Sequence, residues 1–333
     1  MDDRPSSVVV VGASAGGVAP LKEVLGALPA DLQAAVLVVL HVSPTGSRLP
    51  EILNRSGRLH ASHATSGEPL VAGRIYVAPP DHHLLVEDSH CVVARGPREN
   101  NMRPAIDPLF RSAALAYGPR VVGVVLSGSR DDGAVGAAAI ARRGGCVIVQ
   151  DPDEADFPGM PASAIARDHP DRVEPTASVA GAIVAAVENL SKEVPVSENE
   201  RDEMAHETSY AELDRDTVER SYPPGEPSRF SCPSCGGVLW EVDDGLHRFR
   251  CRVGHAFTAE GVLDEEAEQI DNALWAAFRA LQERADLSGR TARRSRERGS
   301  PAVAGRFDAY AREALDQAEL IRSILLERDV PGG

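Results

Sequence analysis

Ser7-Val8-Val9-Val10-Val11-Gly12-Ala13-Ser14-Ala15-Gly16-Gly17-Val18 is the stretch from which the fold is read. Its apolar run is continuous, not alternating, which predicts a strand covered by other elements on both faces. The glycines after it permit a tight strand-to-helix elbow, from which the Ser14 hydroxyl projects beyond the sheet. Two readings compete for such a turn. It is either a G-x-S-x-G nucleophile elbow or a phosphate-binding loop at a helix N-terminus. Serine stands in place of the middle glycine of a G-x-G-x-x-G fingerprint, and the second strand ends in His41 with no acidic residue to bind a ribose. Both features favour the elbow.

Outward from this turn, short Val/Ile/Ala runs alternate with longer Ala-rich amphipathic stretches through residue 190. Strands are predicted at Ser7–Val11, Val36–Leu40, Arg74–Ala78, Leu84–Val86, Val121–Leu126 and Cys146–Val149, with helices around 18–28, 107–117, 133–143 and 161–167. This is the pattern of an α/β fold: a doubly wound, mainly parallel sheet with helices on both faces. The organisation expected is a catalytic domain over 1–190, an acidic linker over 191–229, a small Cys-rich module over 230–258 and a helical tail over 259–333. The linker expectation comes from five basic and eleven acidic residues in 191–231 and from Pro223-Pro224. In the tail, apolar positions recur at helical spacing on either side of Gly299 and Pro301, as in a helical hairpin.

Charge and composition exclude several classes. The 333 residues carry 35 basic and 50 acidic side chains, a net charge of -15. That excess argues against a nucleic-acid partner or an anionic membrane surface, since both require clustered Lys and Arg. Arg290–Arg298 is a short, locally compensated basic run and reads as a solvated turn. No apolar stretch approaches the about 18 residues of a membrane span, and the amino terminus lacks the pattern of a secretory signal, so a cytoplasmic protein without membrane insertion is expected. Five cysteines, three of them within twenty residues, are not a disulfide framework.

Three chemistry-bearing residues fall at predicted strand ends: Ser14, His41, and a carboxylate from Asp131 or Asp132 in Ser127-Gly128-Ser129-Arg130-Asp131-Asp132-Gly133. Either aspartate is also suited to capping the helix that follows. Function in open parallel sheets collects outside the carboxyl ends of the strands, where strand order reverses, so the three suggest a Ser-His-Asp hydrolase. Their order, Ser, His, Asp, differs from that of α/β-hydrolases. Separately, Cys232-x2-Cys235 and, fifteen residues on, Cys251-x3-His255 offer three thiolates and an imidazole at tetrahedral-site spacing. A structural zinc ion in a ribbon-like hairpin holding Trp240 and Phe249 fits better than a redox C-x-x-C, and four protein ligands leave no open position for catalysis. Cys91 and Cys146 read as buried strand residues.

Gly12–Gly17, Leu40-His41-Val42-Ser43-Pro44, Ile75–Asp81, Leu126–Ala134, Gln150-Asp151-Pro152 and Pro158-Gly159-Met160-Pro161 together resemble the catalytic domain of CheB-type protein-glutamate methylesterases over about residues 7–188. The resemblance implies Ser14 as nucleophile, His41 as base, and Asp132 as its carboxylate, acting on glutamyl methyl esters of chemoreceptor cytoplasmic helices. It implies no cofactor for catalysis and a possible second activity on glutamine side-chain amides. Backbone N–H groups around Ala15 and Ser129 are the expected oxyanion donors, although the family usually has Thr and Met there. His83 matches a family histidine, for which a place lining the cleft and a structural role are both open readings; Arg103 and Asp107 have similar standing. Such enzymes usually carry an amino-terminal receiver domain, whereas this chain enters the catalytic sheet by about residue 7. Control is therefore expected from another polypeptide or from the carboxyl-terminal half, whose partner the sequence does not name. The competing reading is a signalling adaptor with a degenerate hydrolase site and a zinc-stabilised tail; a nucleotide-binding protein is a third.

Overall fold

The computed structural model describes residues 5–43, 46–190, 198–212, 225–242 and 247–328. The chain divides into two compact units, Met1–Gly261 and Val262–Gly333.

The first unit is built on a seven-stranded parallel sheet. Its strands are β1 (Ser7–Ala13), β2 (Ala34–Leu40), β3 (His60–His63), β4 (Arg74–Val77), β7 (Val121–Val125), β8 (Cys146–Gln150) and β9 (Arg172–Glu174), in the order β3-β4-β2-β1-β7-β8-β9. β1 is central, pairing with β2 through Val9↔Val36 and with β7 through Val9↔Val122. Successive residues of β1 and β2 serve opposite cores, which explains the unbroken apolar runs. Val8, Val10, Leu37 and Val39 pack beneath α3 (Ile106–Tyr117), α4 (Ala134–Arg142) and α5 (Gly159–Arg167). Val9, Val11, Val36 and Val38 pack beneath α1 (Val18–Gly26), α2 (Leu49–Ser56) and α6 (Thr176–Asn189).

Leu84–Val86 departs from expectation. It lies in β5 (His83–Glu87), which pairs antiparallel with β6 (His90–Ala94) in a separate hairpin over the α3 side of the sheet. Its Leu84 and Val86 face that core with the same apolar signature as a parallel strand, so composition could not separate the two.

The linker expectation also needs correction. Glu198–Ala211 forms α7, and its Tyr210 and Ala211 are buried. Glu207 is paired and not solvated: it meets Arg111 of α3 at 3.7 Å and Arg248 at 3.1 Å. Residues 191–197 and 213–224 of the expected connector lie outside the described residues.

Burial alone would raise the Glu207 pKa, but Arg248 and then Arg111 overcome it and hold the carboxyl at about 2 against an ordinary 4.5. A depressed folded-state pKa adds stability above pH 4.5 that is lost as pH falls toward 2. The shift corresponds to on the order of 3 kcal/mol. Glu207→Gln is expected to flatten that portion of the acid-unfolding curve, measured by denaturant midpoint at pH 7, 4 and 3. An unchanged pH dependence would exclude the ion pairs as its source.

The first unit closes with a four-stranded antiparallel sheet, β10 (Glu226–Ser231), β11 (Val238–Val242), β12 (Arg248–Cys251) and β13 (Ala256–Thr258). The second unit is helical. α8 starts at Ala259 and ends at Glu297, and α9 spans Pro301–Arg328. Gly299, at φ 72°, makes the break at the position the sequence indicates. The basic run expected as a turn instead continues α8 to Glu297, where Arg296 pairs with Asp308 of α9. No helix among the described residues is long and apolar enough to cross a membrane.

Candidate active site

Strand order reverses at β1: the chain builds β2, β4 and β3 on one side, then β7, β8 and β9 on the other. Ser14 follows β1, His41 follows β2, and Asp132 lies in the loop after β7, so parallel pairing brings all three to the same rim. The Ser14 hydroxyl lies 3.0 Å from His41 Nδ1, and His41 Nε2 lies 2.8 Å from Asp132 Oδ2. An acceptor Nδ1 facing the hydroxyl requires the proton on Nε2, where it is donated to the carboxylate. Ser14 is half-buried and Asp132 almost wholly so. The constellation can therefore draw a proton from a partly exposed hydroxyl and hold the resulting imidazolium against a buried anion.

Asp132, not Asp131, is the carboxylate of this relay. Its Oδ2 also accepts the Ile106 N–H at 2.7 Å, and its Oδ1 accepts the Asp107 N–H at 3.1 Å and the Asn100 amide at 3.2 Å. Asp132 thus caps α3 and not α4. The α4 donors are taken by Asp107, whose Oδ1 accepts Gly133 N–H at 3.0 Å and Gly136 N–H at 2.7 Å. This exchange of caps frees Asp132 for His41. Burial pushes the Asp132 pKa up, but the His41 hydrogen bond and charge, with the two α3 N–H groups, bring it below the ordinary value. Asp107 moves the other way, well above the usual carboxylate range, through burial and the neighbouring Asp132 charge. Burial raises the pKa of Asp131, which the neighbouring Thr258 side chain offsets only in part.

The serine turn is secured from β7. Ser14 N–H donates to Ser127 O at 2.9 Å, the Ser127 hydroxyl donates to Ala15 O at 2.9 Å, and Gly128 N–H donates to Phe157 O at 2.9 Å. The Ala15 and Ser129 N–H groups have no acceptor among the described residues, leaving both available to an oxyanion. Gly128 is where the two loops meet. A Cβ there would fall inside the Met160 sulfur and 2.9 Å from Ser14 Cβ. Gly128→Ala is expected to cost about 1–3 kcal/mol by overpacking and, by displacing Ser14, about 10²-fold in turnover. Thermal unfolding and steady-state rates check both; unaltered turnover would place Ser14 outside the chemistry.

His83 takes the structural of its two readings. It is completely buried, its Nε2 donating to Pro97 O at 2.9 Å and its Nδ1 accepting Ala105 N–H at 3.3 Å. Burial lowers its pKa, which suits a neutral brace between β5 and the 97–105 segment. Arg103 likewise braces the surroundings, pairing with Asp81 at 2.7 Å. Asn100 escaped sequence reasoning because neither its type nor its spacing marks it; its contact with Asp132 spans 32 residues.

The metal candidates also converge. Cys232, Cys235, Cys251 and His255 bring their ligand atoms within 4.8 Å of one another. Cys235 and Cys251 sulfurs are 3.8 Å apart, and His255 Nδ1 lies 3.8 Å from Cys232 and 3.5 Å from Cys251. A zinc tetrahedron with its usual bond lengths has edges of about 3.6–3.8 Å. Cys91 and Cys146 sit apart from it in β6 and β8, with thiols raised to about 12 and about 11 by burial.

The model of the CheB methylesterase family matches residues 9–183, more than half of the chain. The chain belongs to the CheB methylesterase family. A protein-glutamate methylesterase/protein-glutamine glutaminase 2 of Methanosarcina mazei is 37% identical over 192 residues, covering 54% of this chain and 52% of that protein. A counterpart in Caulobacter vibrioides is 40% identical over 165 residues, 48% of each chain. A putative enzyme of the same description in Leptospira interrogans is 37% identical, covering 47% of this chain and 82% of its own length. The chain thus spans about half the length of most of these curated relatives. The crystal structure of the Thermotoga maritima CheB methylesterase catalytic domain superposes with a TM-score of 0.52 at 30% identity, covering 54% of this chain and 97% of that one. Family membership and the parallel-sheet fold are shared with these proteins; the family model ends at residue 183, before the Cys/His module.

Proposed function

We propose that this protein is a protein-glutamate methylesterase that hydrolyses glutamyl methyl esters on the cytoplasmic helices of chemoreceptors. The observation that carries the reading is the unbroken relay from Ser14 Oγ through His41 to Asp132, at 3.0 and 2.8 Å. Ser14 Oγ attacks the ester carbonyl while His41 Nδ1 takes its proton, and the Ala15 and Ser129 N–H groups receive the oxyanion. The same proton passes to the departing methoxide, releasing methanol and leaving Ser14 acylated by the glutamyl side chain. Water, deprotonated by His41, then attacks the acyl carbon, restoring the serine and giving the receptor carboxylate. Asp132 remains ionised throughout and keeps the Nε2 proton in place. A glutamine side-chain amide can enter the same acyl-enzyme with ammonia as leaving group, at greater demand on His41 as acid.

The role assigned to Cys232, Cys235, Cys251 and His255 is to hold one zinc ion that stabilises the β10–β13 module. With every ligand supplied by protein, the ion takes no part in hydrolysis.

The test is methanol release from a methylated receptor cytoplasmic fragment, with a fluorophosphonate as active-site probe. One methanol per ester lost, stopped by a single label mapped to Ser14, is expected. Labelling elsewhere, or release that persists after Ser14 is labelled, would overturn the assignment.

A further inference from the structure

We infer that the Cys/His module is a positioning element of the catalytic site, its strand β13 fixing Asn100 and Asn100 fixing Asp132; this role rests on the methylesterase reading of that site. β13 begins at Ala256, directly after the proposed ligand His255. The Ala256 carbonyl accepts the Asn100 N–H at 2.8 Å, and the Ala256 N–H donates to Arg98 O at 3.4 Å, so Ala256 bridges Glu99 as a parallel strand would. Two residues on, the Thr258 side chain lies beside buried Asp131, the residue preceding Asp132. β13 therefore grips the segment that supplies Asn100 and borders the one that supplies Asp132.

Asn100 needs such a grip. Its φ of 49° lies in the left-handed region, which asparagine tolerates but which surrounding contacts must select. Held there, its side-chain amide points inward and donates to Asp107 Oδ2 at 3.0 Å and to Asp132 Oδ1 at 3.2 Å. One NH₂ group thus bridges two buried carboxylates and sets the plane of the one that faces His41. Released from β13, Asn100 has among the described residues no other acceptor for its N–H to maintain that conformation.

A buried charge cluster seats the module on the same segment. Arg250 of β12 is fully buried, lies 3.4 Å from Glu99, donates to Gly254 O at 2.9 Å and stacks 4.9 Å over Tyr210. Arg111 of α3 holds Glu99 from the other side at 2.9 Å. The ligands Cys251 and His255 bound the knuckle between β12 and β13, where Gly254 N–H donates to Cys251 O at 2.9 Å and Cys251 N–H to His255 O at 2.9 Å. Four short strands with so small a core depend on such a staple, and binding of a structural zinc is itself folding free energy. Metal loading thereby reaches Asp132 through three consecutive links: the knuckle, β13 and Asn100.

The experiment uses the full chain, zinc-loaded and stripped by a chelator, with zinc content measured in parallel, and the same pair for Asn100→Ala. Stripping is expected to lower kcat for methanol release about tenfold with KM little changed, and added Zn²⁺ to restore it. Asn100→Ala should bind zinc normally, start about tenfold down and no longer respond to the metal. Zinc-free wild type within twofold of the loaded protein, or an undiminished metal response in Asn100→Ala, would overturn the coupling; so would a chain that takes up no zinc. Amide exchange over 98–107 separates this from the esterase reading. If no methanol is released in any form, the esterase reading fails alone, and the coupling still stands or falls on whether exchange in that segment rises when zinc is removed.

Discussion

Ser14→Ala is expected to lower kcat for methanol release by about 10⁵–10⁶-fold, leaving only what oxyanion donors and binding supply without a nucleophile. The fold should survive, because among the described residues the hydroxyl makes a single hydrogen bond, to His41, while the backbone of residue 14 carries the turn through Ser127. Removing His41 as well should add little, since the two act on one proton and their losses do not sum. Steady-state methanol release by the single and double variants, with thermal unfolding as control, reads this directly. A folded Ser14→Ala protein retaining a tenth of wild-type turnover would put the nucleophile elsewhere.

Asp132→Asn should cost about 10⁴-fold in kcat, although it changes one atom. The carboxylate accepts four hydrogen bonds and donates none: His41 Nε2–H and Ile106 N–H on Oδ2, Asp107 N–H and the Asn100 amide on Oδ1. An asparagine must aim its NH₂ at one of these pairs. Facing Asp107 N–H and Asn100, it leaves buried donors opposed, at about 1–3 kcal/mol. Facing His41, it forces the ring proton onto Nδ1, which can then no longer accept from Ser14. Either outcome slows fluorophosphonate labelling of Ser14 in step with turnover. Labelling that stays fast while turnover falls would show that Asp132 serves a later step and not the tautomer.

Most of the parallel-sheet framework was legible because strands buried on both faces must be apolar throughout, as β1 and β2 are. The same rule misled at Leu84–Val86, where a hairpin packed on the core has an identical composition. Glu198–Ala211 was hidden for the opposite reason. Its acidic residues suggest solvation until Arg111 and Arg248, 96 and 41 positions from Glu207, arrive to pair with it. His83 shows that a histidine in a recognisable motif can be a brace, a distinction that only its burial reveals.

Ser14, His41 and the Cys/His quartet are determined by sequence alone, because local turn chemistry and ligand spacing are short-range properties of the chain. The choice of Asp132 over Asp131 belongs to the tertiary structure. So do the exchanged helix caps, the neutral brace at His83, and the seat that β13 makes for Asn100. Each depends on which distant donor reaches a buried acceptor, and in a buried site that geometry, not residue type, decides where a proton and a charge reside.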